Sequence, residues 1–129
     1  MLHIAFAWAA LAFALFTLDS LAATFGHPWL LGLAPLHALG MGFFGAMLIG
    51  MASRVSLGHS GYKLEADTAT WRLFGLVQAA AVTRMLADWL PAGVWLIDLA
   101  AVLWLAAFAG WAWKYAPMTW RPRADGKPG

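Results

Sequence analysis

The sequence contains no cysteine and few charged side chains. The absence of cysteine excludes disulfides, thiolate metal sites and a cysteine nucleophile. Charged residues make up 11% of the sequence, against about 25% in a typical soluble domain. Hydrophobic residues make up 63%. This composition is that of a membrane protein, and a chain of this length is expected to form one compact unit.

Motifs of the common soluble enzyme classes are also missing. The sequence has no phosphate-binding loop, no serine triad and no pair of carboxylates placed for acid–base catalysis. The basic C-terminal tail has few charges and no interleaved aromatic residues beyond Trp120, so we expect no nucleic-acid binding. Function must therefore be carried by the apolar segments and the polar residues at their ends.

Four hydrophobic segments account for most of the chain, at about residues 3–24, 37–57, 69–90 and 94–115. Each is long enough to cross a bilayer core of roughly 30 Å as a helix. The first lacks the basic start of a signal peptide, which favours a retained span over a cleaved one. We therefore predict an all-α polytopic membrane protein, an antiparallel bundle of four transmembrane helices. Residues 1–116 form this domain, and residues 117–129 form a loosely ordered tail.

The distribution of basic residues predicts the orientation. Four spans place both termini on one side of the membrane, together with the polar loop at residues 58–68. That side holds seven of the eight basic residues: Arg54, Lys63, Arg72, Lys114, Arg121, Arg123 and Lys127. The positive-inside rule then places both termini and this loop in the cytoplasm.

The second segment is rich in glycine and has a histidine near each end. It begins HALGMGFFG and ends RVSLGHSG. Gly42, Gly45 and Gly50 would each cost up to about 1 kcal/mol in a water-exposed helix. In lipid, small residues let neighbouring backbones approach closely. The pattern predicts a helix that packs tightly against its neighbours.

Four motifs carry a resemblance to a known family. They are Leu2–Trp8 (LHIAFAW), His37-Ala38-Leu39 with the glycines after it, Arg54–Gly61 (RVSLGHSG) and Pro122–Gly129 (PRADGKPG). In these motifs the sequence resembles the last part of the NnrS family of bacterial membrane proteins, whose members are considerably longer. The Arg54–Gly61 motif is the most specific, whereas the first motif is weak by itself.

The resemblance implies a multi-pass protein of the bacterial inner membrane that contains haem b and copper. It implies a role in nitric oxide metabolism, denitrification and resistance to nitrosative stress. The family's molecular activity is poorly defined, so the resemblance leaves open whether the chain is an enzyme.

The histidines lie at opposite ends of the predicted helices. His3 begins the first span and His59 follows the second, whereas His37 begins the second span at the other face, just after His27. An unbroken helix would separate His37 from His59 by roughly 33 Å, too far for one haem iron. Because imidazole suits haem iron and copper, we expect two sites. His3 and His59 are the candidate ligands at the cytoplasmic face, and His37 is the candidate at the periplasmic face. The alternative for each is an interfacial histidine bonded to water or a carbonyl.

Two arginines have a functional and a structural interpretation. Arg54 could pair with a haem propionate, or it could be a topology-setting charge that snorkels to the interface. Arg84 lies inside a predicted span, where charges usually pair or mark a functional path. We expect it to pair with Asp98 or Asp88, and a structural salt bridge is favoured over a proton path.

Two classes of function remain. The first is an NnrS-like haem protein, with copper as a second candidate cofactor; methionines in the second span (Met41, Met47 and Met51) could bind Cu(I), although packing is the favoured role. The second is a non-catalytic accessory subunit whose glycine face packs against a larger respiratory membrane complex. A homo-oligomer is a further alternative. Membrane lipid is the immediate partner in every case.

Overall fold

The computed structural model describes residues 1–28, 30–90 and 93–126, and these contain helices but no strand. Four helices follow one another along the chain. They are α1 (Leu2–Thr24), α2 (Ala34–His59), α3 (Thr68–Ala87) and α4 (Gly93–Tyr115). A 3-10 turn, Ala116–Thr119, continues from α4. Each of the four predicted hydrophobic segments overlaps one of these helices.

Three of the helices are long and apolar enough to cross a membrane: α1, α2 and the stretch Val94–Thr119. Only 17% of the most apolar part of α1, and the same share of α4, is buried within the chain. Their remaining apolar surface therefore suits contact with lipid. The prediction is confirmed to the extent that these three helices are long and apolar enough to cross a membrane, whereas a fourth span at α3 stays a prediction.

Helix α3 is the least apolar helix and packs between α2 and α4, whereas α2 is the helix that contacts the three others. Helix α3 contacts α4 more extensively than any other two elements contact each other, and it also contacts α2. Its buried residues recur at helical spacing: Thr70, Phe74, Val77, Ala80, Ala81 and Met85. The helix begins at an N-cap, because the Asp67 carboxylate accepts a hydrogen bond of 2.9 Å from the Thr70 amide.

Small side chains let the helices approach closely. Two core clusters contain six buried alanines, from α1, α2 and α4: Ala5, Ala12, Ala34, Ala38, Ala46 and Ala107. The larger cluster adds Ile49, Phe74 and Val77. With little hydrophobic driving force between helices in lipid, close contact of small residues supplies the attraction.

Part of α2 departs from α-helical geometry. Residues Ala38–Gly45 form a π-helix, a wider turn that occurs frequently at functional sites. Gly42 in this segment packs against the Trp8 ring of α1, and Gly45 packs against the Trp104 ring of α4. The glycine face of α2 therefore contacts its own neighbours in the chain, as the packing interpretation requires.

The helix ends gather into two groups. One group, which we call the tail end, contains the starts of α1 and α3, the ends of α2 and α4, and the C-terminal tail. The other, the His37 end, contains the end of α1, the start of α2 and the end of α3.

The C-terminal tail is held in place at the tail end. The Ser60 hydroxyl donates to the Met118 carbonyl over 3.1 Å, and the Ala124 amide donates to the Ser60 carbonyl over 2.9 Å. These two bonds tie Met118 and Ala124 to the loop after α2, and the loose order expected of the tail stays a prediction. Residues 127–129 lie outside the described part of the chain.

Candidate functional site

A chain of three polar side chains lies at the His37 end. His37 Nδ1 is 3.1 Å from Asp88 Oδ2, and Arg84 donates to Asp88 Oδ1 over 2.8 Å. Each of the three side chains is less than a fifth exposed. Arg84 and Asp88 are four residues apart at the end of α3, so one turn of helix brings them together. Asp88 in turn connects α3 to the first turn of α2.

The hydrogen bonds of Asp88 determine how His37 presents its ring. A carboxylate that accepts from Arg84 is an acceptor for the imidazole too, so Nδ1 carries the proton. In the neutral imidazole Nε2 then carries the lone pair, and Nε2 makes no hydrogen bond to the described residues. A histidine held by a carboxylate through one nitrogen is the usual arrangement of a metal-ligating imidazole, because the carboxylate fixes its tautomer and orientation.

Arg84 forms an ion pair with one of the two partners that were predicted for it. Asp88 is that partner. Asp98 is exposed on α4 and makes no ion pair with any residue in the described ranges. Its similar distance from the turn between α3 and α4 was therefore not enough to make it the partner of Arg84. Asp19 instead accepts a hydrogen bond of 3.0 Å from the Leu31 amide, which ties the loop before α2 to α1.

The other predicted site residues lie at the tail end, around Arg54. One cleft of about 300 Å³ contains His3 and Arg54. A second, of about 520 Å³, contains His59, Arg54 and Arg123. Both histidines are exposed. The structure therefore places each histidine in a cleft with Arg54, and it places them in different clefts.

Two of the sequence motifs meet beside His59. Arg123 donates a hydrogen bond of 3.0 Å to the His59 carbonyl. Its guanidinium also donates hydrogen bonds of 2.9 and 2.7 Å to the Asp125 carboxylate. The last carbonyls of a helix have no partner within the helix, and at the end of α2 Arg123 supplies a charged donor for one of them. We call Arg123, Asp125 and Gly61 the tail clasp.

Gly61 makes this contact sterically feasible. Its φ is +73°, a conformation that favours glycine, and a Cβ there would lie 2.7 Å from Asp125 Cγ. The clasp could not be predicted from the two motifs, because nothing in either motif identifies the other as its partner.

A second polar cluster ties α4 to the start of α3. The Lys114 ammonium bonds to Asp67 and, over 2.8 Å, to the Thr70 hydroxyl, which lies 2.6 Å from the Tyr115 hydroxyl. The Lys114 hydrogen bond, followed by those from Thr70, lowers the pKa of Asp67 well below its usual range. This network at the tail end shares no residue with the network of His37, Arg84 and Asp88 at the His37 end.

The described residues contain no group of three or more histidine, aspartate or glutamate side chains that could enclose a metal ion. The donor set consists instead of separate imidazoles at the two ends of the helices. The model of the NnrS protein family matches residues 1–123 of this chain.

The chain belongs to the NnrS family. The match includes His37, the Arg54–Gly61 motif and Arg123, so the family region contains both ends described above. Membership makes this NnrS-family chain a nitric oxide-related membrane protein. No curated protein and no solved structure matches it.

Proposed function

We propose that the chain is a multi-pass protein of the bacterial inner membrane that binds haem b through His37 and takes part in nitric oxide metabolism. The observation that supports this most strongly is the bond between His37 Nδ1 and Asp88, which leaves Nε2 available as a ligand. Family membership supports the connection to nitric oxide.

The donor set fits haem better than an enclosed copper ion. Haem iron needs one or two axial ligands from the protein, because the porphyrin supplies the others. A single imidazole with a carboxylate behind it meets that need. A copper site built from several histidines would need a cluster, and the described part of the chain has none. Copper therefore stays a secondary candidate.

Each residue at the His37 end has a distinct role in this proposal. His37 Nε2 would hold the haem iron, Asp88 would orient the ring and increase its basicity, and Arg84 fixes the Asp88 carboxylate. Bound haem would supply an iron atom that binds diatomic molecules such as nitric oxide. In the π-helical turns that follow His37, Gly42 leaves room for the Trp8 ring and Gly45 leaves room for the Trp104 ring.

A second site at the tail end is also part of the proposal. His3 and His59 are the candidate ligands there, and Arg54 lies in both of their clefts, where a guanidinium could bind a propionate. The exposure of both histidines leaves their rings accessible to a cofactor that enters from the surface.

Four spans with cytoplasmic termini complete the proposed topology. The packing of α3 against both α2 and α4 supports a fourth span, because a helix with two neighbours exposes less of its surface to lipid and so needs fewer apolar residues. The gathering of basic residues such as Arg54 and Arg121 at the tail end supports its placement in the cytoplasm.

The test is the absorbance spectrum of protein purified from haem-supplied bacterial membranes. We expect a Soret band, a pyridine haemochrome spectrum of haem b, and a shift of the Soret band when nitric oxide is added to the reduced protein. Metal analysis of the same sample measures copper. Colourless protein that purifies only with a larger respiratory complex would contradict the proposal and favour an accessory subunit.

A further inference from the structure

A cavity of about 880 Å³ lies at the tail end, beside the last turns of α4. Three segments form its wall: the end of α4, the tail after it, and the loop after α2. Its polar and aromatic lining residues are Ser60, Tyr62, Trp113, Lys114, Trp120 and Arg121. The cavity is separate from the clefts that contain Arg54.

The charge of this lining is positive. Lys114 and Arg121 line the cavity, and its described lining includes no carboxylate. Lys114 shares its ammonium with Asp67 outside the cavity, whereas Arg121 forms no salt bridge within the described residues. A neighbouring cleft of about 400 Å³ also contains Arg121 and adds Arg123, so the positive surface extends beyond the cavity.

The aromatic residues of this cavity are of the kind found at a membrane surface. Trp113 is 87% exposed and Trp120 is 72% exposed, both at the end of an apolar helix. Tryptophan and tyrosine are enriched at the level of the lipid headgroups. Below them, Ala109 and Ala112 give the cavity a wall of small apolar side chains along α4.

We propose that this cavity binds an anionic phospholipid, with Arg121 and Lys114 supplying the positive charge for its headgroup phosphate. Basic pockets at the cytoplasmic ends of transmembrane helices are suited to such headgroups. The exposed apolar face of α4 accommodates an acyl chain beneath the headgroup. This lipid site is independent of haem.

The proposed lipid site needs the tail clasp, because the clasp holds one wall of the cavity in place. Residues 117, 118 and 120–122 form one wall of the cavity, and the bonds of Arg123 to Asp125 and to the His59 carbonyl hold that segment against the end of α2. Release of the clasp would open the cavity. The proposal therefore predicts that a substitution outside the cavity, at Asp125, also weakens lipid retention.

The test is native mass spectrometry of the full chain in detergent with added phosphatidylglycerol or phosphatidylcholine. We expect retained phosphatidylglycerol and little phosphatidylcholine. Arg121→Gln should weaken phosphatidylglycerol retention about fivefold, the effect of one cation beside an anionic lipid. Lys63→Gln is the matched control, since Lys63 is an exposed cation of the same end that does not line the cavity. Asp125→Asn should weaken retention as well.

Three outcomes would overturn the proposal. Equal retention of the two lipids would show that the cavity does not distinguish an anionic headgroup from one without net charge. Equal losses in Arg121→Gln and Lys63→Gln would show a diffuse charge effect. Displacement of the lipid by inorganic phosphate would identify a site for the free anion. Because Arg121 is exposed, we expect its variant to fold, and an unchanged melting temperature verifies this.

Discussion

Replacement of Gly42 by alanine tests whether the glycines of α2 exist for close packing. A Cβ at Gly42 would lie 2.5 Å from Trp8 Cε3 and 2.8 Å from Trp8 Cγ. The Trp8 ring has little freedom to move away, because its Nε1 donates to Gln78 on α3. Overpacking of this kind costs about 1–3 kcal/mol, whereas the helix propensity of alanine returns at most about 1 kcal/mol. We expect Gly42→Ala to destabilise the protein by about 1–2 kcal/mol.

Gly40→Ala is the matched control for this substitution. Gly40 lies two residues earlier in the same π-helical segment, and a Cβ there would meet nothing within 4 Å. We expect its stability to be unchanged or raised by up to about 1 kcal/mol. The assay is reversible unfolding in mixed micelles with increasing sodium dodecyl sulfate, followed by circular dichroism. If Gly42→Ala proved as stable as Gly40→Ala, the packing argument would be refuted.

Two further predictions concern the tail end. Asp67→Ala should lower stability by about 1 kcal/mol through loss of the α3 cap, whereas Asp67→Asn should cost less because an amide oxygen still caps the helix. Because the pKa of Asp67 is lowered in the folded state, its charge stabilises the fold above about pH 4, and this contribution is lost as the pH falls further towards the folded-state value. Melting temperatures of wild type and Asp67→Asn should therefore differ at pH 7 and converge in acid; a constant difference would contradict this. Gly61→Ala should release the tail and speed its cleavage by trypsin, since a Cβ would collide with Asp125. Gly126→Ala has a similar positive φ without a collision, so equal cleavage of both variants would show that backbone strain alone matters.

Local patterns in the sequence predicted much of this fold. The long apolar segments form helices, and the pair of Arg84 with Asp88 was predicted because the two residues lie within one helical turn. Hydrophobic length alone did not show that α2 is the helix that contacts the three others. Its position depends on which faces of its neighbours are apolar, and this emerges only on packing.

Long-range contacts were beyond the sequence. His37 and Asp88 are 51 residues apart, and nothing local to either indicates the other. The π-helical segment likewise contacts the Trp8 ring of α1 and the Trp104 ring of α4, and nothing local in its sequence identifies them. The incorrect alternative, a pair between Arg84 and Asp98, assumed that equal depth implies a shared face. Depth follows from counting residues, but the facing direction follows from the rotation of each helix.

The haem content of three purified variants tests the central claim, that the His37 ring held by Asp88 binds haem iron. We predict that His37→Ala loses the haem of the His37 end and that Asp88→Asn retains haem with a shifted Soret band, because its ring support is weakened. His27→Ala, a change in the exposed loop before α2, should match the wild type. Circular dichroism of each variant confirms that the helices remain. Haem content and spectra in folded His37→Ala that equal those of the wild type would contradict the account.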